Sequence, residues 1–276
     1  MSVLFVYLTI IGLTPGALTP IGAVLSLSSP LDLGYRQMYN LQFDGAHESF
    51  QGWERMHPND PMGMTSEAAA YLFAEFDRLG VLHSELFVID EKFKERQKTR
   101  PDLVTKDRFE KKLENSDQLA DAILERSPQD SNALLAKVLN LGLRADYLAL
   151  IEKRNLASLS YMKGAGVLAE RLLSIDPTCY DAYLAVGVEN YMLGLTAAPV
   201  RWLLRLYGAK TDKEMGIKNL QLVAEKGHYL LPFARLLLAV AALRDKDRDR
   251  ARGLLQSLSQ EFPNNLLYRK ELSRIH

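Results

Sequence analysis

Apolar residues recur along most of the chain at steps of three and four, the spacing that lines one face of an α-helix. Runs of this kind occupy residues 68–76 and 119–124, and no extended alternation of apolar and polar residues occurs beyond Pro30. The segments 134–141 and 236–243 are so rich in leucine, valine and alanine that they are predicted to be helices packed on two sides. The pattern therefore predicts an all-α chain.

Four predicted helix ends share a proline followed by polar residues that can cap the next helix. These prolines are Pro58, Pro128, Pro177 and Pro263. A small residue lies twelve positions before each proline, and a residue able to pack lies eight before. The small residues are Ala46, Ser116, Ala165 and Ala251, and the packing residues are Phe50, Ala120, Ala169 and Leu255. The same helix pattern is therefore predicted to recur along the chain.

This pattern resembles the second helix of the tetratricopeptide repeat (TPR), in which a small residue lets two helices approach closely and proline closes the unit. Tyr71, Tyr183 and Gly187, with the pair Leu33–Gly34, match positions of the TPR first helix. The resemblance implies an α-solenoid of roughly four to six stacked antiparallel helical hairpins. The prolines are 70, 49 and 86 residues apart, which predicts irregular repeat lengths.

The interval before Pro263 is predicted to hold an atypical hairpin, whose second helix runs from Gly216 to Gly227. A leucine-rich helix, a glycine, a polar turn and a helix beginning Gly-x-x-x-Leu follow one another there. This order resembles that of the eukaryotic outer-mitochondrial-membrane inclusion-clearance proteins, which also carry TPR-like repeats.

The N-terminal segment differs in composition, because nothing from Met1 to Leu31 carries a charged side chain. The apolar block 3–13 has the length of the apolar part of a secretory signal, and 26–28 places small residues two apart, as a cleavage site would. No Lys or Arg precedes the block. An export signal, an uncleaved anchor interrupted by two prolines, and a buried or wrongly assigned start all remain open.

These features divide the chain into a signal-like or anchor segment, 1–29, and a TPR-like solenoid domain, 30–276. We expect an exported or membrane-associated protein, in the periplasm or envelope if the chain is bacterial. We expect a cytoplasmic protein if the N-terminal segment is not a signal.

The charge is balanced, with 34 Lys+Arg against 34 Asp+Glu and a formal net charge of +0. A nucleic-acid partner is not expected, since such proteins usually carry a basic excess. Cys179 is the single cysteine, which rules out an internal disulfide framework. His47 and His57 lack the spacing that places two imidazoles on one helical face for zinc.

No cofactor, metal or catalytic group is predicted. Lys163–Gly166 is the nearest approach to a phosphate-cradling loop, but the strand that such loops follow is missing. The basic residues within 92–112 are interleaved with acidic ones, which favours a solvated segment over contact with an acidic partner or a phospholipid. The segment 200–207 around Trp202 favours solenoid packing over contact with a membrane interface.

The TPR resemblance implies function by recognition, with a concave groove of first helices holding a protein or peptide. Placing the family's groove positions on this sequence gives Asn132, Asp181 and Tyr191 as candidate contact residues. The predicted function is a non-enzymatic protein-interaction scaffold. The alternative is a membrane- or lipid-associated helical-repeat protein that uses the N-terminal segment and the Trp202 helix.

Overall fold

The computed structural model describes residues 29–81, 100–194 and 212–275. These residues form eleven α-helices, one π-helical turn (Tyr147–Ile151) and one 3₁₀ turn (Tyr180–Ala182), and none of them lies in a strand. The α-helices are α1 (Pro30–Tyr39), α2 (Phe43–Met56), α3 (Pro61–Arg78), α4 (Leu103–Arg126), α5 (Ser131–Asp146), α6 (Asn155–Ile175), α7 (Tyr183–Gly194), α8 (Lys213–Lys226), α9 (Leu231–Arg244), α10 (Arg248–Glu261) and α11 (Leu266–Leu272).

Each helix packs against the next one along the chain. The helices therefore pair as hairpins α1–α2, α3–α4, α5–α6, α7–α8 and α9–α10, and α11 follows the last pair. Further contacts join α1 to α3 and α3 to α5, so that the first three hairpins also stack through their first helices. This arrangement confirms the predicted all-α stack of helical hairpins.

The repeat pattern read from the sequence marks the contacts between helices. The small residues and the packing residues placed before the four prolines are all at most 2 % exposed. Each proline lies in the turn after a second helix, and Asp60, Asp130 and Asn265 in these turns cap the helix that follows. These small and packing residues are therefore buried inside the stack of helices.

The first helices α3, α5, α7 and α9 form an inner layer that is enclosed on nearly all sides. Their exposed residues are Asp77, Arg78, Asn132 and Met192. The second helices α2, α4, α6, α8 and α10 form an outer layer, and each of them presents one face to solvent. Helices that are apolar on most sides are stable only when neighbours cover them all round, as the inner helices are here.

The first helix contacts the last part of the chain. The ring of Tyr35 stacks on that of Tyr229, with centroids 4.6 Å apart, and the Tyr39 hydroxyl donates to the carbonyl oxygen of Tyr229 at 3.0 Å. Tyr39 also packs against Phe262, and its carbonyl accepts a hydrogen bond from Asn265 Nδ2 at 2.9 Å. The stack of hairpins is thus closed by contact between its two ends.

None of the helices in the described ranges is both long and apolar enough to cross a membrane. The predicted signal-like segment and the Trp202 helix lie outside the described residues, apart from Ser29 at the edge of the first helix.

Candidate partner-binding surface

Aromatic side chains of the chain itself fill the space between the first helices near the junction of the two ends. The Phe73 ring lies 5.9 Å from that of Tyr39 and 5.6 Å from that of Phe233. The cavity that remains beside them measures about 10 Å³, room for at most one water molecule. The predicted groove is therefore closed at this place, and a peptide could enter only if these rings separated.

Asp181, one of the three predicted contact residues, is a structural residue of this closure. Its side chain is buried, and its carboxylate accepts the backbone N–H groups of His228, Tyr229 and Leu230 at 2.9, 2.9 and 3.1 Å. Burial raises the pKa of Asp181, although the three N–H donors act in the opposite direction. The carboxylate thus fixes the loop that precedes α9.

Tyr191, the second predicted contact residue, lies inside the contact between α7 and α8. It is 7 % exposed, and a Cβ added to Gly216 would lie 2.6 Å from the Tyr191 backbone nitrogen. Gly187, predicted as a repeat-defining residue, lies in the same close contact between α7 and α8, since a Cβ added to it would lie 3.2 Å from the Gly216 carbonyl oxygen. Neither residue is placed to meet a partner at the surface.

Asn132, the third predicted contact residue, is exposed in the first turn of α5. Its Nδ2 donates to Asp60 Oδ1 at 2.7 Å, and Trp53 Nε1 donates to Asp60 Oδ2 at 2.8 Å. The Trp53 ring packs on the His57 ring, with centroids 3.8 Å apart, and Met56, the last residue of α2, is 58 % exposed. We call these five residues, Trp53, Met56, His57, Asp60 and Asn132, the Asp60 patch.

One carboxylate organises the Asp60 patch. Asp60 Oδ1 also accepts the backbone N–H of Met62 and so caps α3. The polar groups of Asn132 and Trp53 are therefore held in place before any partner arrives. The pattern around Pro58 predicted a helix end alone, and Trp53 and Asp60 were not among the predicted contact residues. A tryptophan seven residues before a helix-capping aspartate was the available signal.

The two histidines discussed as a metal pair are kept apart. His57 belongs to the Asp60 patch, whereas His47 packs on Tyr71 and places its Nδ1 3.5 Å from the buried Glu67 carboxylate. Within the described ranges, no three His, Cys, Asp or Glu side chains are grouped so that they could hold a metal ion. Cys179 is half-buried, and burial raises the pKa of its thiol to about 11.

Comparison with known proteins gives one structural likeness. No protein-family model and no curated protein matches the chain. The fold is similar to the crystal structure of a thermophilic TPR protein from Thermus thermophilus, with 15 % sequence identity and a TM-score of 0.45. That match covers 89 % of this chain and 96 % of the other.

Proposed function

We propose that this protein is a non-enzymatic scaffold that binds a partner protein at the Asp60 patch. The observation that carries the proposal is the position of Asn132, which is the one exposed residue of the otherwise enclosed helix α5. Its amide is fixed by Asp60, and the exposed Met56 ends α2 four residues before Asp60. A fixed polar group next to an apolar side chain and an aromatic pair is typical of the centre of a protein interface.

The Asp60 patch is a better candidate binding surface than the groove between the first helices. A peptide in that groove would have to displace the contacts of Phe73 with Tyr39 and Phe233. A partner at the Asp60 patch needs no such rearrangement. Binding through a preformed surface avoids the cost of ordering side chains on association.

Affinity capture from the native host tests this proposal when it is run on matched variants. Met56→Glu and Asn132→Ala should each remove a captured protein that the wild-type chain retains, because one adds a charge to the patch and the other removes its amide. Met215→Glu is the control, since Met215 is also an exposed methionine, 46 % exposed, but lies on α8. Equal capture by all four proteins would refute the Asp60 patch as the binding surface.

We further propose that the protein is exported or associated with the cell envelope. The support is the uncharged apolar segment 1–29, whose length and small residues suit a secretory signal. Fractionation of the native host, with N-terminal sequencing of the recovered protein, tests this. Recovery wholly from the cytosol with Met1 intact would overturn the export proposal and leave the binding proposal standing.

A further inference from the structure

A pocket of about 180 Å³ opens between the outer helices α4 and α6. The turn that joins α5 to α6 contributes to its wall and contains the π-helical turn Tyr147–Ile151. Single π-helical turns occur frequently at functional sites. The charged side chains that line the pocket are Lys106, Glu110, Arg144, Glu152 and Arg154.

Arg144 is held in the pocket wall by polar residues that reach into the core. Its Nη1 donates to Asp117 Oδ2 at 2.7 Å, and Asn140 Nδ2 donates to Asp117 Oδ1 at 2.9 Å. Asn140 is fully buried and bonded to the equally buried Thr65 and Ser116. The Arg144 side chain is 14 % exposed, and its Nε lies 4.0 Å from Glu110, too far for a hydrogen bond. Arg144 therefore brings a fixed charge with donors to spare.

Two further cations meet at Glu152. Lys106 Nζ lies 2.5 Å from one carboxylate oxygen, and Arg154 Nη1 lies 3.3 Å from the other. Burial alone would raise the pKa of Glu152, but the hydrogen bonds and charges of Lys106 and Arg154 hold it below its ordinary value. Arg154 is 65 % exposed and makes one long bond, so it can turn to a second anion. Glu152 thus holds both cations beside the pocket.

The start of helix α6 adds donors at the same place. Arg154 is the N-cap residue of α6, and within the described part of the chain no side chain caps the N–H groups of its first turn, whereas Asp130 caps the start of α5. Ala157, in the first turn of α6, lines the pocket. The uncapped N-terminus of a long helix carries partial positive charge and attracts anions.

Tyr147 also lines the pocket, and its hydroxyl is a further polar group there. The residue is 3 % exposed, its ring stacks on that of Phe109, and its buried hydroxyl has no hydrogen-bond partner among the residues that the structure describes. Leaving a buried hydroxyl unpaired is unfavourable, and such a group in a native structure calls for an explanation. A ligand oxygen bound in the pocket would supply the missing partner.

We propose that this pocket binds a phosphate monoester. Three cations from three different elements, an uncapped helix start and an unpaired hydroxyl converge there, and a phosphate offers three strong acceptor oxygens in different directions. A carboxylate has two coplanar oxygens, which a single guanidinium can satisfy. The lining carries three cationic and two anionic side chains, with Asp117 paired to Arg144 behind it, and the phosphate competes with Glu152 for Arg154.

Titration calorimetry of the full chain with inorganic phosphate and with O-phosphoserine tests the site, with serine as the unphosphorylated control. Binding should be saturable and weakened at least tenfold by Arg144→Gln and by Arg154→Gln. Arg171→Gln should leave it unchanged, because Arg171 is an exposed arginine at the other end of α6. If Arg144→Gln fails to fold, Arg154→Gln decides, since that side chain is largely exposed.

Tyr147→Phe separates a ligand role of the hydroxyl from a structural one. It removes an unpaired buried group, so the folded chain should be at least as stable as wild type, while phosphate binding weakens severalfold. Vesicles containing phosphatidic acid identify the source, since binding to vesicles alone would assign the phosphate to a lipid headgroup. Absence of saturable binding to all three probes, or equal loss in Arg171→Gln, would overturn the proposal.

Discussion

The Asp181 carboxylate holds Tyr229, the residue on which the first helix packs. The Asp181 carboxylate accepts the backbone N–H of Tyr229 at 2.9 Å, while the Tyr229 ring stacks on Tyr35 of the first helix at 4.6 Å. The Tyr229 carbonyl oxygen also accepts the hydroxyl of Tyr39. A side chain in the turn before α7 thereby fixes the loop on which α1 closes.

Replacing Asp181 should destabilise the chain strongly. Asp181→Ala leaves the backbone N–H groups of residues 228–230 without their shared acceptor, which should lower the free energy of unfolding by about 3 kcal/mol. Asp181→Asn retains one acceptor oxygen, so its free energy of unfolding should lie between those of the wild type and Asp181→Ala. Urea unfolding followed by circular dichroism measures both. A change within about 0.5 kcal/mol for the alanine variant would show that the carboxylate does not hold this loop.

Replacing a helical glycine by alanine should lower the stability of the chain at Gly216 and raise it at Gly253. In Gly216→Ala the new Cβ would lie 2.6 Å from the Tyr191 nitrogen, so the backbones of α7 and α8 must separate, at a cost of about 2 kcal/mol. In Gly253→Ala the Cβ meets nothing within 4 Å, and the variant should gain up to about 1 kcal/mol of helix propensity. Thermal unfolding gives both signs. Equal shifts would contradict the close approach of α7 and α8.

Asp146 should make stability depend on pH. Burial raises its pKa from 3.8 to about 7, and no hydrogen bond or ion pair compensates its charge in the described residues. The folded chain therefore holds a proton that the unfolded chain loses near pH 4, and the ionised group weakens the fold increasingly as the pH rises towards 7. Asp146→Asn should be more stable than wild type at pH 8, by at most about 4 kcal/mol.

The advantage of Asp146→Asn should shrink as the pH falls and vanish near pH 4, where both states of the wild type hold the proton. Denaturant unfolding of both proteins at pH 4, 6 and 8 checks this. A difference that stays constant across the three pH values would mean that the Asp146 carboxyl titrates alike in the folded and unfolded chains.

We expect Lys112 to stabilise the fold chiefly because it compensates the charge of the buried Glu67 carboxylate. Lys112 Nζ lies 2.5 Å from Glu67 Oε2 and 2.8 Å from Glu54 Oε2, and the Glu67 side chain is 1 % exposed. Lys112→Met should cost about 3 kcal/mol, because it leaves that carboxylate uncompensated. Adding Glu67→Gln to Lys112→Met should recover part of the loss. A double-mutant cycle by chemical denaturation measures the coupling, and additive effects would argue against it.

The hairpins could be predicted because their signals are local. Ala46 lies twelve residues and Phe50 eight residues before Pro58, and both contact neighbouring helices, so a short window of sequence contains the whole pattern. The capping aspartates are local in the same way. The helix ends and the buried positions of each hairpin can therefore be recognised from a short stretch of sequence.

The candidate contact residues were harder to predict because their surroundings come from distant parts of the chain. Asp181 contacts residues 228–230, and Asn132 contacts Asp60, which lies 72 residues away. Each of these contacts joins the turns of two adjacent hairpins, so it depends on how one hairpin packs on the next and not on the sequence of either hairpin alone. Repeat register alone placed Asp181 in an open groove, whereas its hydrogen bonds to the loop at residues 228–230 give it a structural role.

The contact between α1 and the loop at Tyr229 bears on how the chain unfolds. In an open solenoid each repeat touches its neighbours alone, so the end repeats fray independently of the middle. Here the first and last hairpins support each other, and loss of either one exposes the aromatic residues of the other. Backbone amides in α1 and α11 should therefore exchange their hydrogens at similarly slow rates, and these rates should rise together as denaturant is added, because the two helices belong to one cooperative unit.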